Sequence, residues 1–304
     1  MHKHHLLQLI FPCAIIAAAT TTQAATITTD TEYSTVPSEK LHVGNGAKLT
    51  FSFNSDTTFT NTITCDSGAI IQFRNTSPNT TIAYTTKKAT IASNSIYGMK
   101  GSLIVGSYDD SYATIIDFES NQEQFSLNQD LIIYGNSEFH TNGGTTNYSD
   151  IKGQLCSLRT ASSLTPQEAA SSGPTIGASL DLSSLQTLTI EQSINLVGHK
   201  LRFAKSREKA ITLTLADDLI SNINGENAYT LFTKVGGVDD FKQGTAYNAS
   251  DYFSSSYIDE NTKLILNKDG SLILTGLVDV IPEPSTASLS LLALLGLSLR
   301  RRRG

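Results

Sequence analysis

Two cysteines, three histidines and two pairs of adjacent aspartates are the side chains of the central body best suited to chemistry, and their spacing limits what each can do. Cys65 and Cys156 can pair in an oxidising compartment. That would close a loop of about 90 residues, worth a few kcal/mol in the chain-entropy model. Two buried free thiols are the alternative, because spacing alone does not bring them together. His42, His140 and His199 stand apart, with no H-x-x-x-H or C-x-x-C grouping, so no metal site is expected. Asp109-Asp110 and Asp239-Asp240 are paired carboxylates of the type that binds calcium or serves glycoside hydrolysis. No calcium-loop pattern surrounds either pair, which favours solvated turn residues. Tyr84, Tyr97, Tyr108, Tyr112, Tyr134 and Tyr148 suit either a sugar-stacking face or cross-strand packing. The sequence holds no G-x-S-x-G, H-E-x-x-H, P-loop or Gly-rich dinucleotide turn. No catalytic residue, cofactor or metal is assigned, and the body reads as non-enzymatic.

The elements that must position these residues are short strands separated by polar turns. Leu49–Phe53, Ala69–Phe73, Ser102–Val105, Thr114–Phe118, Leu131–Tyr134 and Ile211–Leu215 are rich in β-branched or aromatic residues, and several alternate strictly. Turn signals separate them: Gly44-Asn45-Gly46, Asn75 to Asn79 with Pro78, Asn142-Gly143-Gly144 and Gly236-Gly237. The sharpest local expectation is a hairpin, with Lys263–Leu266 and Ser271–Leu274 flanking Asn267-Lys268-Asp269-Gly270. Thr165-Pro166-Gln167-Glu168 could open a short helix, and so could Asp217 to Ile220. Strand spacing of roughly ten to twenty residues, with a recurring Gly-Ser-Leu-Ile grammar, predicts a mainly β fold. A right-handed parallel β-solenoid is expected, with a β-sandwich as the alternative. Residues 25–151 form its first part, 152–178 a linker or crossing loop, and 179–281 a closing part.

Composition agrees with this outline. The chain has 304 residues, 39% hydrophobic but only 16% charged, with no Trp and with Met confined to Met1 and Met99. Such a profile suits strands and polar turns better than long helices. The net charge is −6, and Lys3 and Arg300 to Arg303 lie in the termini, so the body itself is more acidic still. That repels nucleic-acid backbones, and no nucleic-acid partner is expected.

The termini set the compartment. A basic start (His2, Lys3, His4, His5) precedes an apolar stretch from Leu6 to Ala19 and the small-residue pattern Thr22-Gln23-Ala24. This order reads as a signal peptide over residues 1–24, delivered to the secretion translocon. At the other end Pro282-Glu283-Pro284 precedes an apolar run from Ala287 to Leu299 and the cluster Arg300, Arg301, Arg302 and Arg303. The prolines hold the chain extended and open to an enzyme. The arginines hold the C-terminus on the cytoplasmic side, leaving the body outside the inner membrane. As a transmembrane helix the run spans about 20 Å against a hydrocarbon core of about 30 Å, a short anchor suited to temporary residence.

Residues 282–304 resemble the PEP-CTERM sorting domain of Gram-negative bacteria, the likeness being carried by Pro282, Glu283, Pro284, the apolar run and the Arg cluster. The resemblance implies an exosortase-like processing enzyme as partner, and a route through an inner-membrane intermediate to the cell surface or extracellular matrix. The hairpin and Ala228–Thr233 resemble the closing part of autotransporter-like passenger domains, which are β-solenoids. Together these imply a structural or adhesive surface protein, with a surface polysaccharide as its partner. The alternative is a polysaccharide-active enzyme, a glycoside hydrolase or lyase, built on a β-solenoid.

Overall fold

Alternation of apolar and polar residues places Leu49, Phe51 and Phe53 on one face of their strand, and the same phase recurs in each strand paired beside it. The computed structural model describes residues 24–59, 63–77, 87–92, 100–107, 112–119, 129–135, 137–141, 157–161, 173–204, 209–216, 220–223 and 226–278. The expected signal peptide, the two short helices after Thr165 and from Asp217, Cys156 and the tail from 279 onward lie outside these residues. The described protein is mainly β, arranged in parallel sheets. Its helical content is a 3-10 turn at Ala249–Asp251.

A nine-stranded sheet takes its strands in chain order: Thr31–Tyr33, Lys48–Phe53, Ile70–Asn75, Ser102–Val105, Leu131–Tyr134, Ser157–Ala161, Thr187–Ile190, Ile211–Leu215 and Phe253–Ser254. Every neighbouring pair in it is parallel. A second sheet interleaves with it in sequence, running Thr57–Phe59, Lys87–Ala92, Thr114–Glu119, Glu138–Thr141, Thr175–Gly177, Ile194–Asn195 and Glu226–Thr233, again parallel. Two three-stranded parallel sheets complete the set: Ala25–Ile27 with Leu41–Val43 and Ile63–Cys65, and Leu180–Asp181 with Lys200–Arg202 and Gly237–Val238. The stretch 152–178, read from the sequence as a linker, holds Ser157–Ala161 and Thr175–Gly177, which continue both long sheets.

The core follows from the register. Leu49, Ile71, Leu103, Leu131, Leu158, Leu188 and Leu213 pair rung to rung along the long sheet, all of them buried. One step along the strands, Phe51, Phe73, Val105, Ile133, Thr160, Ile190 and Leu215 form a second buried row. Thr160 is the polar member of that row and is satisfied locally. Its hydroxyl oxygen accepts from the Glu191 and Gln192 amides at 2.9 and 3.2 Å and donates to the Gln192 carbonyl. Phe59 of the second sheet meets Phe51 and Phe73 edge to face, with centroids 4.7 and 5.5 Å away, so the two long sheets share one core. Tyr229 of the second sheet crosses the same interior to donate to the Ile190 carbonyl at 2.8 Å.

Where the chain turns between the long sheets, buried polar side chains replace the apolar rows. The Asn75 amide donates to Thr114 Oγ1, and the Thr114 amide donates to Ser137 Oγ. The Thr175 amide donates to the Ser137 carbonyl, and Asn195 Nδ2 donates to Thr175 Oγ1. A corner breaks the backbone ladder, so these side chains supply the partners that buried amides require. Asn75 is itself buried at this corner.

The last strands reverse direction. Lys263–Leu266 and Leu272–Thr275 form the expected hairpin, antiparallel to each other, and Leu272–Thr275 also pairs antiparallel with Glu226–Thr233. Gly270 closes the turn at φ +80, the left-handed region the sequence reserved for glycine. The edge beyond is the short strand Ala246–Asn248, whose side chains are largely exposed. Short polar edge strands of this kind discourage edge-to-edge pairing. Among the described residues no helix is long and apolar enough to cross a membrane.

Candidate functional site

Pro282, Glu283, Pro284 and Arg300 to Arg303 lie outside the described residues, as do Asp109, Asp110, Cys156, Tyr84, Tyr97, Tyr108 and Tyr148. Tyr112 and Tyr134 are half-buried. The described candidates fall into three places.

The first is the interior. Ile27, Val43 and Cys65 form one inward row of the N-terminal three-stranded sheet, which explains why Cys65 is buried. Among the described residues it has no disulfide partner, and Sγ accepts from the Gly101 amide at 3.2 Å. Burial pushes the Cys65 thiol up from its ordinary value, with the Gly101 amide pulling weakly the other way. The thiolate is the reactive form, so Cys65 should be slow to alkylate in the folded protein. At pH 8 the folded chain is expected to label at Cys65 at least about a hundredfold more slowly than the chain unfolded in guanidinium. The unfolded thiol ionises first as pH rises, so the unfolded state then holds fewer protons. Stability should therefore fall above the ordinary thiol range. Alkylation under denaturing, non-reducing conditions decides the redox state. One disulfide-linked peptide containing both cysteines would establish the Cys65–Cys156 pair, and a label on Cys65 would exclude it.

The second place is the outer surface carrying the histidines. His42 stacks beside Thr64 in register, its Nδ1 3.0 Å from Thr64 Oγ1 and its Nε2 3.6 Å from Asp66 Oδ1. His140 Nε2 lies 2.6 Å from Glu138 Oε2 on the same strand. The next rung presents Gly177 opposite His140, and a Cβ there would sit 2.0 Å from His140 Nδ1. The imidazole thus occupies the space a side chain at position 177 would take. His199 is buried nearby and held below its ordinary value, first by burial and then by the charge of His140. It is therefore neutral at physiological pH. No group of three or more metal-ligating side chains forms among the described residues.

The third place is the small sheet near the C-terminal end. Asp181 and Arg202 pair in register, and Asp239 follows on the next rung. Arg202 Nε donates to Asp239 Oδ2 at 3.1 Å, and Nη1 reaches Asp181 Oδ2 at 3.5 Å. The guanidinium is fixed between two carboxylates on either side, an arrangement that adds geometry more than energy at such exposure. Beside it opens a pocket of about 420 Å³ lined by Arg202, Phe203, Ala204, Asp239 and Asp240. Phe203 is buried and packs against Phe241, Tyr252 and Phe253 with centroids 5.3 to 5.9 Å apart. Asp240 adopts φ +67. Tyr247 ties its turn down, with Oη accepting from the Lys242 amide at 2.8 Å and donating to the Asp240 carbonyl at 3.3 Å. The aspartate pair expected to be ordinary turn residues thus borders a concavity. The strand register that brings Arg202 to it spans 37 residues and carried no local signal.

No family model, curated protein or solved structure matches this chain.

Proposed function

We propose that this is an exported, surface-sorted structural or adhesive protein, processed through its PEP-CTERM-like tail, with a right-handed parallel β-solenoid as its body. The observation that carries the reading is the strand order of the long sheet. Strands that neighbour each other in space also follow one another in sequence, with strands of the other sheets between them. A chain that returns to the same sheet once per circuit, always parallel, stacks coil on coil. Nine strands at about 4.8 Å give a body roughly 40 Å tall. The parallel strands Ile211–Leu215 and Thr187–Ile190 bury one face and leave the other wet. Open parallel sheets are ordinarily covered on both faces, so a one-sided parallel sheet fits a closed coil better than a sandwich. Parallel crossovers within one sheet are right-handed in about 98% of cases, which supports the assigned hand.

A regular stack suits display. It offers long outer faces, tolerates variation in its loops, and needs no catalytic centre. The export-type N-terminus and the PEP-CTERM-like C-terminus read from the sequence support a body displayed outside the cell. The second reading, a polysaccharide-active enzyme, rests on the Glu138–His140 contact at the outer face of the second sheet.

An antibody to the body, applied to intact cells expressing the full chain, tests the main reading. Labelling of unpermeabilised cells, and loss of the epitope on protease shaving, are expected. A body that labels only after lysis overturns the surface assignment. Release of reducing or unsaturated sugar ends from surface polymers by the purified chain would transfer the case to the enzyme.

A further inference from the structure

We propose that the pocket beside Arg202 is a carbohydrate subsite, seating one pyranose ring of a surface glycan between the Arg202–Asp239–Asp240 edge and Ala204. The inference deepens the adhesive reading and rests on it, naming the class of ligand and the residues that would hold it.

Three features converge on this ligand. The first is size: about 420 Å³ accommodates a single sugar ring with its hydration, within the usual range for small-ligand sites. The second is chemistry. A pyranose presents neighbouring hydroxyls that donate and accept at once, together with an apolar C–H face. Asp239 and Asp240 carboxylates accept from hydroxyls, and the Arg202 guanidinium donates to them. Half-buried Ala204 gives the C–H face a small apolar contact, with Phe203 buried beneath. The third feature is preorganisation. Arg202 is held from both sides by Asp181 and Asp239. The turn that carries Asp240 is clamped by Tyr247, and Phe203 is locked into an aromatic group by Phe241, Tyr252 and Phe253. Groups already fixed in place lose little freedom on binding. Asp240 is also the non-glycine residue of this turn with a left-handed backbone, and such strain tends to collect where ligands are gripped.

The pocket sits on the outer side of the small sheet, near the antiparallel cap. Repetition of the protein on a surface would multiply a weak single-ring contact into avidity. One subsite per chain need bind only at millimolar strength to hold a polymer.

The test uses the detergent-solubilised full chain, titrated calorimetrically with neutral tetrasaccharides of gluco, galacto and manno configuration and with polygalacturonate. At least one neutral tetrasaccharide should bind. Asp240→Asn keeps a residue tolerant of the left-handed backbone and should weaken that binding about tenfold. Ala204→Trp should fill the pocket and abolish it. Thermal melting of each variant, matched to the parent, certifies that the fold survives. Absence of binding across the panel, or binding that neither variant changes, overturns the subsite. Surface labelling of intact cells separates this from the broader reading: surface display without sugar binding sinks the subsite alone, and sugar binding without surface display sinks the adhesive assignment alone.

Discussion

Phe73→Ala is expected to destabilise the body by about 3–5 kcal/mol, enough to approach the whole stability of a typical domain. Phe73 is fully buried at a point where three other rings meet. Phe51 stacks on it at 5.3 Å with planes 14° apart, Phe53 lies parallel at 6.1 Å, and Phe59 abuts it edge-on at 5.5 Å. Truncation removes the apolar area and leaves a cavity between two sheets that cannot close around it. Chemical denaturation should show a lower midpoint. Arg159→Ala, on the exposed face of the same sheet, should move it by less than about 0.5 kcal/mol.

The location of the damage carries further information. In a stack of coils each rung contacts mainly its neighbours, so losing Phe73 should loosen the N-terminal rungs first. Hydrogen exchange should then rise in Lys48–Phe53, Ile70–Asn75 and Ser102–Val105, while Lys263–Leu266 and Leu272–Thr275 stay protected. Uniform loss of protection from end to end would instead indicate one cooperative core, as in a sandwich. An unshifted midpoint would mean that the aromatic group contributes far less than its burial implies.

The same residues show how much of the fold could be read in advance. Strands of four to six residues with clear alternation, such as Ile211–Leu215 and Leu131–Tyr134, were legible because period-2 patterning needs that length to register. So was the hairpin around Gly270, because its signal is local. The two- and three-residue strands were not legible. Leu41–Val43, Ile63–Cys65 and Lys200–Arg202 alternate in burial but are too short for that pattern to stand out in the sequence, and pairing with neighbouring strands holds them extended. Gly237–Val238 lies in a stretch read as a turn, and parallel pairing with Lys200–Leu201 makes it a strand. The candidate site was half visible for the same reason. Asp239-Asp240 stood out as a pair, but Arg202 and Phe203 reach them only through that register. Pro282-Glu283-Pro284, the proposed sorting motif, is the opposite case: its reading rests on consecutive residues and draws nothing from the fold.

On the proposed sorting route, replacing Pro282, Glu283 and Pro284 with alanines should leave export intact and block processing, because the proposed signal peptide is untouched while the Pro-Glu-Pro break before the apolar run is lost. Alanine is the best helix former and proline the worst, so the proposed membrane helix would extend toward the body and hide the backbone a processing enzyme must grip. The body limits that extension. The Leu277 amide donates to the Asn227 carbonyl at 3.1 Å and the Val278 amide to the Tyr257 carbonyl at 3.0 Å, which pins the chain as far as Val278. Only Asp279, Val280 and Ile281 separate that anchor from Pro282, a reach of roughly 14 Å fully extended. Pro282 can therefore lie no farther than that from Val278, and on the proposed reading the triple-alanine segment would extend the helix toward this anchor. The variant should accumulate in the inner membrane as a full-length precursor with its arginines attached. Replacing Arg300 to Arg303 with serines should act differently, removing the charge that holds the C-terminus on the cytoplasmic side and so weakening retention before processing. Fractionation with an antibody to the body follows both variants. A triple-alanine protein that reaches the outer surface at wild-type size and yield would reduce the tail to a simple anchor and remove the sorting role assigned to it.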